Sequence, residues 1–186
     1  MLETSDSDEA QQLADARAGD RGAFDRLVAR HAPRLIGLAA RMLGEQADAE
    51  DAVQDALASA WLALHRFDLD KPAGPWLATI TINKCRDAMR RRRLARLLSF
   101  ATDQRADDII DLSPDQEQQL AERQLLARVR QEIARLPPKL KEPFVLVVFD
   151  DRSQEEAARI LGISRKSVET RIYRARNFLR EKFEIF

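Results

Sequence analysis

The chain lacks most of what would staple it, charge it with metal or hold it in a membrane. One cysteine in 186 residues, Cys85, excludes an internal disulfide. With only two histidines, His31 and His65, it cannot assemble a zinc cluster of the finger type. The longest apolar run, Phe144 to Phe149, is far short of the ~18 residues that a membrane span needs. The N-terminus is acidic and polar, without the basic and then apolar pattern of a signal peptide. These absences predict a cytoplasmic protein with no metal, no cofactor and no membrane insertion. Net charge is also missing, since 31 Lys and Arg balance 31 Asp and Glu.

That balance conceals segregation. Residues 1 to 20 carry six acids against one Arg. Residues 84 to 96 carry seven basic side chains (Lys84, Arg86, Arg90, Arg91, Arg92, Arg93 and Arg96) against Asp87 alone. Residues 103 to 117 return to six acids and one Arg, and residues 164 to 182 to seven bases and two acids. Two basic surfaces separated by acidic stretches suit a protein that touches nucleic acid in two places and other protein elsewhere. Cys85, between Lys84 and Arg86, is expected to be a small apolar filler, with a lowered thiol pKa as the alternative.

Helical periodicity dominates. Residues 1 to 12 read as a disordered acidic lead. Phe24, Leu27 and Val28, then Leu35, Leu38, Ala39 and Met42, keep the i, i+3, i+4 spacing of one helix face, with Pro33 as a start or kink and Gly44 as the stop. Asp48 is placed to cap the next helix, with Val53, Leu57, Ala60, Trp61 and Leu64 as its stripe and Glu50, Asp51, Gln54 and Asp55 in its first turns. The segment 68–75 reads as a loop. A helix from about Trp76 then runs through Ile80, Asn83 and Met89 into the arginines.

Periodicity fails from about 97 to 119, which reads as a linker. Leu120, Leu125, Leu126, Val129, Ile133 and Leu136 open a second unit, in a helix stopped by Pro137 and Pro138. The run 143–149 suits a strand as well as a helix, but it has no partner strand and is taken as a short buried helix beginning near Pro143.

The strongest local signal lies at 153–176. Ser153 with Glu156 forms a capping box for a helix whose apolar face is Ala157, Ala158 and Leu161. Gly162 supplies the turn and Ser164 caps a second helix, on which Val168, Ile172 and Ala175 face inward. Arg165, Lys166, Ser167, Glu169, Thr170, Arg171, Tyr173, Arg174 and Arg176 are left to the outer face and flanks. This is the pattern of a helix-turn-helix that reads duplex DNA in the major groove.

In order and spacing these pieces resemble a bacterial RNA polymerase sigma factor of the extracytoplasmic-function (ECF, group IV) type, in the sigma-70 family. The residues that carry the resemblance are Asp48 to Asp55 with Trp61; Trp76-Leu77 with Ile80, Asn83, Asp87 and Arg90 to Arg93; and Leu136-Pro137-Pro138 ahead of the helix-turn-helix. The resemblance implies an all-α fold of two small helical domains joined by a flexible linker. The first, 13–96, would be sigma-2-like, and the second, 120–186, sigma-4-like. It implies that Asp51, Gln54 and Asp55 dock on RNA polymerase core, whose clamp and flap regions are the expected partners. Asn83, Lys84, Arg86, Asp87 and Arg90 to Arg93 would capture melted −10 DNA, with residues 65–74 as the wall of a base pocket. The outer face of the helix-turn-helix would read the −35 duplex. An anti-sigma factor is expected as regulator. Two rivals stand beside this reading: a stand-alone helix-turn-helix regulator, and a magnesium-dependent nuclease built on the acids at 48–55, which lacks further ligands.

Overall fold

The computed structural model describes residues 3–98 and 114–183. Every regular element among them is helical: α1 (Glu3–Arg17), α2 (Arg21–Leu43), α3 (Gln46–Ala63) with a 3₁₀ turn at Leu64–Arg66, α4 (Ala73–Leu98), α5 (Pro114–Arg135), α6 (Pro138–Val148), α7 (Gln154–Leu161) and α8 (Arg165–Phe183). The fold is all-α. Most of the span expected as a linker, 97–119, lies outside the described residues, with α4 and α5 extending into it from either side.

Helices α1 to α4 form the N-terminal unit. The Asp20 side chain caps α2 by accepting from the Ala23 N–H at 3.2 Å. The helix continues through Pro33 without a break and ends at Gly44, whose left-handed φ of 85° is one that a side chain would resist. Gly44 and Glu45 alone separate α2 from α3, so α3 begins two residues before Asp48. Asp48 therefore does not cap it and instead pairs with Arg92 of α4. The core follows the expected stripe in Leu27, Leu38, Ala39 and Met42 of α2 and Val53, Ala60 and Leu64 after them, adds Ala49, Leu77 and Ile82, and leaves Leu57, Trp61, Ile80 and Met89, also expected there, only partly buried. Phe24 meets the edge of Trp61 at 5.1 Å. Cys85 is fully buried, and desolvation pushes its thiol up to about 12, which removes the reactive thiolate reading.

The acidic lead is structured from Glu3 onward, contrary to the expectation of disorder. Leu13 and Ala16 bury one face of α1. Glu9 pins it, accepting from the Ala73 N–H at 3.0 Å and lying 3.1 Å from His31 Nε2 and 3.7 Å from Arg30 Nη1. A carboxylate at the first N–H of α4 also moves the start of that helix back from Trp76 to Ala73. Pro75 then falls in the first turn, where its missing N–H costs nothing.

In the C-terminal unit α6 begins at Pro138, five residues before the expected start, with Pro143 inside it. Leu125 and Leu126, expected in the core, are more than half exposed, and the packed face of α5 begins only at Val129 and becomes fully buried at Ile133 and Leu136. Val145, Leu146, Ala157, Val168, Ile172 and Ala175 complete the core of this unit.

The two units pack directly on each other, α6 and α5 against α2 and α7 against α4. Lys141 of α6 is 3% exposed, and its ammonium donates to Met42 O at the end of α2 (2.9 Å) and to Ala134 O at the end of α5. A cation between two helix C-termini meets the negative ends of both macrodipoles, which offsets part of its desolvation. Burial still lowers its pKa to about 8.

The Glu9 carboxyl titrates below its usual 4.5, chiefly because it is hydrogen-bonded to His31. A group held below its unfolded value stabilises fully above that value and loses its contribution as pH falls through the folded one. Glu9→Ala should therefore cost about 1–2 kcal/mol at pH 7 in urea denaturation. The gap between variant and parent should narrow below pH 4.5. An equal gap at pH 7 and in acid would count against the role assigned to Glu9.

Candidate nucleic-acid interface

The helix-turn-helix has the expected caps. The Ser153 Oγ accepts from the Glu156 N–H at 3.1 Å and the Glu156 carboxylate accepts from the Ser153 N–H at 3.0 Å. That backbone N–H, with help from the Ser153 hydroxyl and Arg152, lowers the Glu156 pKa against a small desolvation. Gly162 follows α7 with φ 66° and ψ 36°, and the Ile163 N–H returns to Ala158 O at 3.0 Å, closing a Schellman turn. Nothing lies within 4 Å of a Cβ built on Gly162, so the dihedral and not crowding calls for glycine. The Ser164 Oγ accepts from the Ser167 N–H at 3.2 Å at the start of α8.

Val168, Ile172 and Ala175 of α8 are buried, while Arg165, Lys166, Glu169, Thr170, Tyr173, Arg174 and Arg176 are exposed and Ser167 and Arg171 half-exposed. The pairing of Arg165 Nε with Glu155 at 3.0 Å is solvent-exposed and therefore weak, so a phosphate can displace it. One face of α7 differs from the sequence reading: Ile160 is buried, whereas Leu161 is only half-buried. Ile160 lines the cleft beside α4. Its place in the helical period could not reveal this, because its neighbour belongs to the other unit.

Helix α4 divides the second set of predicted residues into two groups. Asn83, Asp87, Arg90, Arg91 and Arg93 are exposed, and Lys84 half so. The Asn83 side-chain carbonyl accepts from Arg86 Nη1 at 2.9 Å. Arg90 pairs with Asp87 across one turn at 2.6 Å. Arg86 and Arg92 are committed to the protein itself. Arg86 makes a two-pronged pair with Glu142 of α6, Nε to Oε1 and Nη2 to Oε2, both 2.7 Å, which raises its pKa further. Arg92 donates to Leu43 O at 3.0 Å and pairs with Asp48.

The segment 66–75, the end of the 3₁₀ turn, the 67–72 loop and the first residues of α4, lines a cavity of about 500 Å³. Its walls include Phe67, Trp76, Thr79, Arg66 and Lys71, with Arg159 and Ile160 of α7 facing them. Trp76 is half-buried, stacked on Phe67 with centroids 4.3 Å apart, so it serves as core anchor and cavity wall together. Arg66 and Lys71 lie within the 65–74 wall expected from the resemblance and add two cations that sequence reading did not single out there. Across the unit, Asp51, Gln54 and Asp55 stand exposed on α3, opposite its buried Ala49, Ala52, Val53 and Ala56. No group of three or more His, Cys, Asp or Glu placed to hold a metal occurs among the described residues, and no described helix is long and apolar enough to cross a membrane.

Two helical units, each presenting a basic helix, one behind a capped turn and one beside an aromatic-walled cavity, define the class of helix-turn-helix DNA-binding proteins. Residues 27–95 match the family model of sigma-70 region 2, and residues 126–179 that of sigma-70 region 4. The RNA polymerase sigma factor CnrH of Cupriavidus metallidurans is 42% identical over 88% of this chain and 87% of its own. The ECF RNA polymerase sigma factor SigM of Mycobacterium tuberculosis is 33% identical over 90% of this chain and 81% of its own. Among solved structures, CnrH in complex with the cytosolic domain of CnrY superposes with a TM-score of 0.71 at 36% identity, covering 95% of this chain and 97% of that one. The sigma factor RpoE of Bartonella quintana, in complex with the anti-sigma factor NepR, gives 0.68 at 26% identity over 87% of this chain and 97% of that one. The chain belongs to the sigma-70 family of RNA polymerase sigma factors and is of the extracytoplasmic-function type.

The turn between α7 and α8 is the most exacting backbone position of the interface. Gly162→Val should cost about 1–2 kcal/mol in thermal or urea unfolding, the penalty of left-handed geometry for an ordinary residue. Gly162→Asn, which tolerates that region, should lose distinctly less. Equal losses for both variants would show that something other than φ selects glycine here.

Proposed function

We propose that this protein is a group IV promoter-specificity subunit that binds RNA polymerase core, reads a −35 element as duplex through α8 and captures the −10 element as single strand through α4. The observation that carries the reading is the separation of the two basic surfaces. One is a capped helix-turn-helix suited to a major groove, and the other a basic helix next to a cavity suited to an unstacked base. Arg165, Lys166, Glu169, Thr170, Tyr173, Arg174 and Arg176 supply the duplex contacts, with Ser167 and Arg171 at the flank. Asn83 offers its amide to a base edge, and Lys84, Arg90, Arg91 and Arg93 attract the backbone of the melted strand.

The exposed carboxylates and amide of Asp51, Gln54 and Asp55 meet the polymerase clamp, while the C-terminal unit meets the flap. Such charged contacts steer association and fix its register. The protein is a binding subunit, and catalysis belongs to the polymerase. It works in the cytoplasm and is held inactive by an anti-sigma factor, as the RpoE relative is found bound to NepR.

Run-off transcription on fragmented genomic DNA with purified core polymerase tests the whole reading, and new start sites sharing two spaced motifs are expected. Specific duplex binding without any start sites would replace it with a stand-alone regulator. Within it, Arg174→Ala should weaken −35 duplex binding and lower the salt slope by about 1. Asn83→Ala should leave duplex binding intact and impair strand opening. If each variant damages both steps equally, the division of labour between α4 and α8 is wrong.

A further inference from the structure

The outer face of α8 is a surface of hydrogen-bond donors with one exception. Arg165, Lys166, Arg174 and Arg176 are exposed cations that can only donate. Thr170 spends its hydroxyl proton on its own helix, donating to Lys166 O at 2.9 Å. Glu169 alone among them is a pure acceptor, exposed in the second turn of α8. Arg165, one turn before it, is paired with Glu155 instead, and among the described residues no hydrogen bond or ion pair holds the Glu169 carboxylate. A free carboxylate on a face that meets DNA is repelled by phosphates, of which a duplex carries about one per 1.7 Å of its axis. That repulsion is offset only where a group in the groove donates to the acid.

In the major groove two base edges carry such a donor, the N4 amine of cytosine and the N6 amine of adenine. Beside the adenine amine lies N7, an acceptor, which would meet the second carboxylate oxygen lone pair to lone pair. Beside the cytosine amine lies only a C–H. We infer that Glu169 accepts from the N4 amine of a cytosine and so specifies one C·G pair of the duplex element that α8 reads. The inference deepens the duplex-reading part of the proposed function and rests on it. Its place in the helix agrees, because a recognition helix meets base edges with residues near its N-terminus, and Glu169 lies in the first half of α8. Lys166 and Tyr173, three residues before and four after, share its face, and Tyr173 is 65% exposed. The acid also selects by rejection, since guanine and thymine present only acceptors or a methyl group on that edge and leave the carboxylate without a donor.

The test uses the full chain with core polymerase on a pool of promoter duplexes randomised across the upstream element, sequencing both the bound DNA and the RNA 5′ ends. A second arm binds the same pool with the protein alone. The parent should favour cytosine over every other base at one position by about tenfold. Glu169→Gln, whose amide can donate to N7 while accepting from N6, should exchange that preference for adenine and leave the other positions as they were. Glu169→Ala should lose the preference there, yet bind unselected duplex at least as tightly as the parent, because a charge that repels phosphate is gone. Since the side chain is exposed and unpaired, neither variant should change thermal unfolding.

A change confined to that one position supports the inference. Variants that keep the parent's preferences everywhere, or that tighten on all sequences alike, overturn it, for that is the behaviour of an acid that only faces solvent. A loss of thermal stability in both variants also overturns it, by showing that the carboxylate has a structural partner. Failure of the sigma reading shows up differently: core polymerase yields no start sites, yet the protein alone still selects a cytosine that Glu169→Gln exchanges for adenine. A parent that selects no duplex in either arm overturns both.

Discussion

Everything about the arrangement of this molecule depends on the burial of charge on α6. Lys141 and Glu142, adjacent in sequence, are almost without solvent, and so is Asp150 just beyond the helix. None of them could be tolerated there without opposite or dipolar partners. Those partners come mainly from the other unit: the C-terminal carbonyls of α2 for Lys141, Arg86 of α4 for Glu142 and Arg34 of α2 for Asp150. The end of α2 is thereby finished in part by a side chain of the C-terminal unit. Gly44 closes α2 so tightly that its last carbonyls project toward Lys141 and Arg92.

Much of this architecture was legible in the sequence, where it is governed by local rules. The capping box at Ser153, the turn at Gly162 and the inward triad Val168, Ile172 and Ala175 follow from hydrogen-bond geometry and helical period within about twenty residues, and all appear as expected. The strand-like run at 143–149 was resolved correctly by the absence of a pairing partner. Helix starts were less legible. Ala73, Gln46 and Pro138 begin their helices earlier than the caps suggested, because distant groups such as Glu9 or an adjoining tight turn provided what a local cap would have provided.

The candidate interface divides along the same line. The exposed face of α8 and the acids of α3 could be read from period alone, since their environment is solvent. The basic run of α4 could not. Charge counting treats Arg86, Arg91, Arg92 and Arg93 alike, whereas two of the four are tied to Glu142 and to Leu43 and Asp48, at separations of 40 residues or more in the chain. A net charge reports attraction for a polyanion but not which cations are already engaged. Ile160 teaches the same lesson in apolar terms, as a residue whose burial makes sense only once the second unit is in place.

The bond between Glu9 and the first N–H of α4 gives the amino-terminal helix a role in spacing. It joins the beginning of the chain to the point where the 67–72 loop becomes helix, so the width of the aromatic-walled cavity is gauged by a residue more than fifty positions upstream of it. Shortening the chain past Glu9, or fusing a bulky tag that displaces α1, would leave the core of α2 to α4 in place and yet alter the width of that cavity. Two preparations of this protein that differ only at their amino ends are thus not interchangeable as tools for studying its promoter preference.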